Sequence, residues 1–200
     1  MEGLPINLIV PVREDDHIRG ESAARVTIVE YGDYQCPFCK AAEPLVDALE
    51  AALGGQMRLV FRHFPVTSVH PLAELAAKAA ESAGLQGKFW EMHRLLFANQ
   101  SELRSEVLRD YAASLGLDIE QFESGLRSSA IKSHVREDLQ GGLRSGVRGT
   151  PAFFIDGLRF TGYPNLLGIL GQISASHPTL DIAVDTAVGN VGVSDVSHNR

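Results

Sequence analysis

Among 200 residues there are two cysteines, Cys36 and Cys39, and no others. Two intervening residues let a pair of sulfurs meet across the start of a helix while one stays nearer solvent, the spacing expected of dithiol redox sites. With no third cysteine in the chain, the pair is not part of a structural disulfide framework. The chemistry it could do is thiol–disulfide exchange. A thiolate attacks a substrate disulfide, and the second thiol resolves the mixed disulfide that results. Zinc binding is a rival use, but structural zinc takes four ligands, and neither a second CxxC nor a closely spaced histidine pair is available. No metal is expected. A packed, inert thiol pair is the remaining alternative.

The flanking residues say where the pair sits. Arg25-Val26-Thr27-Ile28-Val29-Glu30-Tyr31-Gly32 is rich in β-branched and aromatic residues and reads as a buried central strand. After Cys39, Leu45, Val46, Leu49, Ala52 and Leu53 recur at helical spacing until Gly54-Gly55 stops the helix. Pro37 suits the first helical turn. Cys36 therefore lies at a helix N-terminus, where free N–H groups and the dipole favour an exposed thiolate. Cys39, one turn in, is expected to be more buried and less ionised. Glu30, on the buried strand six residues before Cys36, should have its pKa raised by desolvation. That makes it a candidate proton acceptor for Cys39, by way of water; alternation also allows it to face solvent.

Composition narrows the remaining choices. Apolar residues at 44% and charged residues at 22% are ordinary globular usage, which excludes a wholly disordered or fibrous chain. A net charge of −7 makes nucleic acid and anionic membrane poor partners. No run of about 18 apolar residues is present, so no membrane span is expected. Glu2 is acidic, and no Lys or Arg precedes Arg13. An export signal is therefore not expected, the compartment is expected to be the cytoplasm, and Leu4–Val10 is expected to form an edge strand.

Several blocks together resemble the DsbA-like thiol–disulfide oxidoreductases of the thioredoxin superfamily, most closely members made without a signal peptide. They are Val29-Glu30-Tyr31-Gly32-Asp33-Tyr34-Gln35-Cys36-Pro37-Phe38-Cys39, Arg62-His63-Phe64-Pro65 with His70-Pro71, Gly87-Lys88-Phe89-Trp90-Glu91-Met92-His93, and the run from Ser145 to Gly157. The resemblance spans about residues 8 to 175. It implies an α/β thioredoxin fold with an inserted helical subdomain. The boundaries expected are 1–64 for the first part of the thioredoxin domain, 65–146 for the insertion, 147–176 for the second part and 177–200 for a C-terminal extension. The periodicities agree. Met57 to Phe64 is a strand pattern. Helical patterns follow over 72–83, 89–97, 107–115 and 119–126, the last with Asp118 and Gln121 placed as a capping box. Ile131, Val135, Leu139 and Leu143 stripe a longer helix. Ala152–Ile155 and Leu158–Thr161 flank the hairpin turn Asp156-Gly157, and Leu166 to Ile173 form a last helix.

Thr150-Pro151 is a second candidate element. On the chain alone the proline could be cis or an ordinary trans residue starting a strand. The resemblance implies a cis bond, a loop lying against the CxxC, and a Thr150 backbone that pairs with an extended substrate. It also implies the proton-relay role of Glu30. Pro37 and Phe38 complete the expected substrate-binding set. Phe38 stands where the strongly oxidising members carry a histidine, which implies a less oxidising couple. Tyr34 and Phe38 could offer apolar surface to unfolded polypeptide. His63, His70 and His93 read as packing, capping or turn residues.

The expected function is thus a thiol–disulfide oxidoreductase with no cofactor. Its substrates would be protein or peptide thiols and disulfides, and a thioredoxin system or low-molecular-weight thiol would recycle it. Two alternatives stay open: a redox-silent, peptide-holding module of the same fold, and a kappa-type glutathione transferase or isomerase. The latter generally carries serine where Cys36 stands. The tail beyond His177 reads as a loose extension or a strand exchanged in a homodimer.

Overall fold

A computed structural model describes residues 7–183. Five strands form one mixed sheet: β1 (His17–Gly20), β2 (Val26–Gly32), β3 (Met57–His63), β4 (Ala152–Ile155) and β5 (Leu158–Arg159), in the order β1-β3-β2-β4-β5. β2 and β3 run parallel, with Glu30 beside Phe61, and the other pairs are antiparallel. A parallel pair needs a crossover. α1 (Pro37–Leu53) and a short 3-10 turn (Gly54–Gln56) supply it.

Between β3 and β4 come five helices: α2 (Ala73–Gly84), α3 (Phe89–Ala98), α4 (Ser105–Ser114), α5 (Ile119–Leu126) and α6 (Ser129–Arg144). α7 (Leu166–Ser176) closes the described part of the chain. The order β-α-β, helices, β-β-α is that of a thioredoxin fold carrying a helical insertion.

Strand alternation builds the two faces. Val26 and Ile28 point toward α1 and α7, where they join Val46, Leu49, Leu53, Phe153 and Ile173 in one core. Val29 and Tyr31 point the other way, toward Val60, Phe64 and Phe154. A third cluster fills the insertion with small residues on α2 (Ala76, Ala79, Ala80, Ala83) against Phe89, Met92, Phe97 and Phe122. That cluster reaches Tyr34, Cys36 and Cys39, so the inserted helices pack directly on the thiol end of the sheet.

The structure departs from the sequence expectations in several places. β1 has no alternating signature in His17-Ile18-Arg19-Gly20 and was not anticipated; it forms because β3 offers it a free edge. Of the expected strand Leu4–Val10, residues before Asn7 lie outside the described ones. Asn7 makes a single antiparallel bridge to Leu158, and the Leu8 N–H donates to the Gly157 carbonyl. Half of the expected capping box forms: the Asp118 carboxylate accepts from the Gln121 N–H, but the Asp118 N–H donates to Gln86 instead.

On α6, Leu143 is exposed and does not continue the apolar stripe. Asp138 is buried on that helix, where its carboxylate accepts from Arg13 and from the His63 backbone N–H. β5 ends at Arg159 rather than Thr161. In the tail, Leu180 and Ile182 lean on the core beside α1 and α7, while Val184 and Val188 lie outside the described residues.

Arg62 is the largest buried side chain. Its guanidinium donates to both Asp16 carboxylate oxygens at 2.9 and 2.7 Å, to the Val10 and Pro11 carbonyls at 2.8 and 2.7 Å, and to the Tyr31 hydroxyl at 3.1 Å. Burial alone would push this guanidinium down and the Asp16 carboxyl up. Their mutual hydrogen bonds reverse both, raising the arginine and lowering the aspartate.

Candidate active site

The turn after β2 delivers the two thiols to the mouth of α1. The Asp33 carbonyl accepts from the Cys36 N–H at 3.0 Å, and the Cys36 carbonyl accepts from Cys39 and Lys40 at 3.1 and 3.2 Å as the helix begins. Cys36 is the N-cap and Pro37 occupies the first helical turn, where a missing N–H costs nothing. The Cys36 carbonyl also accepts from Gln100 of the inserted helical region at 2.9 Å.

Cys36 is only 3% exposed, which corrects the expectation of an open nucleophile. The cause is tertiary. The loop ahead of β4 lies against it, and the Cys36 thiol donates to the Thr150 carbonyl at 3.3 Å. The Thr150–Pro151 peptide is cis. Cys39 is fully buried, and its sulfur accepts from the Asp33 N–H at 3.4 Å. Both cysteines are free thiols.

The two thiols differ sharply in acidity. Hydrogen bonding to the Cys39 thiol, aided by the backbone N–H groups of Cys39 and Phe38, outweighs burial and brings Cys36 down to about 5. Burial pushes the Cys39 thiol far up, and its bond to Cys36 and the nearby Glu30 charge push it further.

Glu30 faces the α1 side of the sheet and is 1% exposed, not turned to solvent. Burial, then the neighbouring Glu43 carboxylate, holds its carboxyl well above the usual range, against the opposing charge of Arg19. Among the described residues, its Oε1 has no hydrogen-bond partner. An unpaired buried carboxyl oxygen is costly in a purely structural role.

Around the mouth of α1 the side chains divide. Phe38 is exposed, but Tyr34 is buried, correcting the idea that both present apolar surface. The Tyr34 ring packs on Phe97 and Phe61, and its hydroxyl meets His93 Nδ1 at 3.1 Å. His93 is thus a packed residue, and so is His63, whose Nε2 lies 2.8 Å from Glu81.

Asp33 was missed at the sequence level. It is buried, and its carboxylate accepts from the Gln35 and Val66 N–H groups and pairs with His70 Nδ1 at 2.8 Å. It ties the turn holding Cys36 to the loop after β3. Its place two residues before Gln35, in a strand-to-helix turn, was the available signal. Between the first turns of α1 and the segment ahead of α7 runs an apolar groove of about 230 Å³, lined by Phe38, Pro44, Leu45, Pro151, Tyr163 and Leu166.

Comparison with known proteins places this architecture. Curated relatives include an Na(+)/H(+) antiporter NhaA 1 of Salinispora arenicola, 46% identical over 176 residues, covering 88% of this chain and 27% of that protein. Another is an NhaA 1 of Mycobacterium sp. strain KMS, 43% identical over 179 residues, covering 88% of this chain and 29% of that protein. The chain therefore spans little more than a quarter of the length of these relatives. No helix among the described residues is long and apolar enough to cross a membrane.

Solved structures with the same fold include a thioredoxin-like oxidoreductase from Silicibacter pomeroyi, with TM-score 0.75, 24% identity, 84% of this chain covered and 95% of the other. The thiol-disulfide exchange protein α-DsbA2 from Wolbachia pipientis follows, with TM-score 0.70, 23% identity and coverage of 80% and 86%. Bacillus subtilis BdbD gives TM-score 0.70, 23% identity and coverage of 79% and 90%. At these identities the likeness is one of fold. The thioredoxin family profile matches residues 13–174, from the segment before β1 into α7, and the chain belongs to the thioredoxin family.

Proposed function

We propose that the protein is a thiol–disulfide oxidoreductase in which Cys36 is the nucleophile, Cys39 the resolving thiol and Glu30 the proton acceptor. The observation that carries this reading is the placement of the thiols. Cys36 caps α1 against the Thr150 carbonyl, while Cys39 is buried behind it with its sulfur on the Asp33 N–H, an arrangement that draws the first thiol down and pushes the second up. The Cys36 thiolate attacks one sulfur of a substrate disulfide, forming a new S–S bond and expelling the other sulfur as thiolate. Cys39 then loses its proton to Glu30 and attacks the Cys36 sulfur, breaking its bond to the substrate, whose second sulfur leaves as thiolate. The two substrate thiolates take up one proton from Glu30 and one from solvent, and the protein is left as the Cys36–Cys39 disulfide.

The groove lined by Phe38 and Pro151 supports a polypeptide substrate. An extended segment would pair with the backbone at Thr150 and rest apolar side chains between Phe38, Pro151 and Tyr163. Pro37 presets the helix start. A Cys36 thiol held below its ordinary value stabilises the reduced form, and Phe38 in place of histidine favours a couple less oxidising than that of the strongest oxidants. In the cytoplasm, glutathione or a thioredoxin system would keep the pair reduced and drive substrate reduction.

Alkylation measures the split directly. With iodoacetamide, Cys36 should react with a midpoint near pH 5, while Cys39 stays unmodified across the neutral range. A single midpoint near that of an ordinary thiol for both cysteines would refute the assignment. The same shift gives a stability signature. Because the Cys36 pKa is lowered from 9.0 to about 5 on folding, its contribution to the reduced protein is full above about 9 and is lost as pH falls through about 5.

Glu30→Gln tests the proton path. Attack by Cys36 should be little changed, while resolution by Cys39 slows by about 10²-fold, the usual size of a lost general base. Stopped-flow traces showing an accumulated mixed disulfide would report this, and an unchanged resolution rate would remove Glu30 from the mechanism.

A further inference from the structure

Away from the thiols, three elements bring together side chains that no sequence spacing relates. His17 comes from β1, Glu81 from α2 and His134 from α6. His17 Nε2 lies 2.7 Å from Glu81 Oε1, and His134 Nε2 lies 3.7 Å from the same oxygen. One ligand atom from each of the three falls within 4.8 Å of the others. In a tetrahedral zinc centre, with bonds of about 2.0–2.2 Å, ligand atoms stand roughly 3.3–3.5 Å apart. Side-chain shifts of about an ångström would convert one arrangement into the other.

The surroundings hold these groups in place. The His17 ring stacks on Phe89 with centroids 3.4 Å apart and planes within 6°. A Cβ on residue 84 would come within 3.2 Å of His17 Cε1, so Gly84 leaves the imidazole its room. Behind the carboxylate, His63 Nε2 lies 2.8 Å from Glu81 Oε1. Behind His134, the Asp15 carboxylate lies 3.6 Å from Nδ1. Outer partners of this kind orient metal ligands and set the imidazole tautomer. On the solvent side, the three residues line a pocket of about 360 Å³ with Asp15, Leu85 and Ile131.

We propose that His17, Glu81 and His134 form a zinc-binding site, distinct from Cys36 and Cys39, with an open fourth position facing this pocket. Two imidazoles and one carboxylate suit zinc, whereas calcium and magnesium prefer all-oxygen sets. Each imidazole gives its Nε2 lone pair to the metal and keeps its proton on Nδ1. The proton that His17 shares with Glu81 is released to solvent. The ion would tie the edge strand of the sheet to two inserted helices, joining the two parts of the fold. Zinc was not expected from the sequence because the ligands come from three separate elements.

The test uses the full chain carrying C36S and C39S, so that neither thiol can hold the ion and failure of the redox reading has no bearing on it. Titration calorimetry with zinc chloride should show one equivalent bound. His134→Gln, on a partly exposed helix face, should weaken binding by more than about tenfold, the lower end of what even an outer partner costs. Circular dichroism checks that this variant folds, and His17→Gln provides the second variant. Cobalt substitution should give tetrahedral d–d bands without a thiolate charge-transfer band. Absence of saturable zinc binding, or less than a tenfold loss in both folded histidine variants, would overturn the site.

Discussion

Cys36→Ser should abolish disulfide exchange, with a loss on the order of 10³-fold or more, as expected when a nucleophile is removed. The hydroxyl does not ionise in the accessible range, so the stabilisation built around the Cys36 sulfur has no anion to act on. Cys39→Ser should behave differently. Attack on substrate still proceeds, but the mixed disulfide persists, because the only internal thiol able to resolve it is gone. Mass spectrometry of the product with a disulfide-bonded peptide should show a covalent adduct that dithiothreitol releases. Retained exchange in Cys36→Ser would sink the proposed function. The double variant addresses the peptide-holding alternative. Client binding that persists at full strength beside measured exchange by the unmodified protein would mean that the groove lined by Phe38, Pro151 and Tyr163 works independently of the thiols.

The largest stability effect is expected at Arg62. Truncating it to alanine takes two donors from the buried Asp16 carboxylate, which keeps only the Arg13 N–H and the more distant Arg13 guanidinium, and takes the guanidinium donors from the Val10 and Pro11 carbonyls. Breaking a buried pair from one side costs about 3–5 kcal/mol. For a chain of this size that corresponds to a fall in Tm on the order of 10 °C. Urea denaturation of the reduced protein should show the loss. Arg62→Met combined with Asp16→Leu should recover only part of it, since an apolar pair leaves no orphaned charge but still takes the guanidinium from the Val10 and Pro11 carbonyls and the carboxylate from the Arg13 N–H. An Arg62→Ala variant within about 1 kcal/mol of the parent would contradict this account. The effect matters for the redox site, because Arg62 anchors the segment before β1 beside β3, the parallel neighbour of the strand that carries Glu30.

Chain order alone revealed most of the fold. The seven helices and the strands β2, β3 and β4 follow from apolar periodicity, and their ends from Gly54, Pro37 and the Asp156-Gly157 turn. Such signals are local: they depend on residues a few positions apart, and packing reinforces them. β1 escaped because four residues with one aliphatic side chain carry no pattern. It becomes a strand when the edge of β3 accepts its hydrogen bonds.

The candidate site divides in the same way. The spacing of Cys36 and Cys39, and their position where a strand meets a helix, are written in consecutive residues. The burial of Glu30 is only half so: its apolar neighbours point to it, but alternation leaves a solvent-facing glutamate open, and packing on both faces of β2 decides it. Tertiary contacts decided the rest. The loop at Thr150 arrives from the far side of the inserted helices and covers Cys36. Tyr34 turns inward because Phe61, His93 and Phe97 surround it. His17, Glu81 and His134 meet only because the insertion folds back over the sheet. Chemistry that needs a neighbour in sequence was legible, whereas chemistry assembled from distant elements requires the packed chain, since no periodicity links residues that only folding brings within a few ångströms.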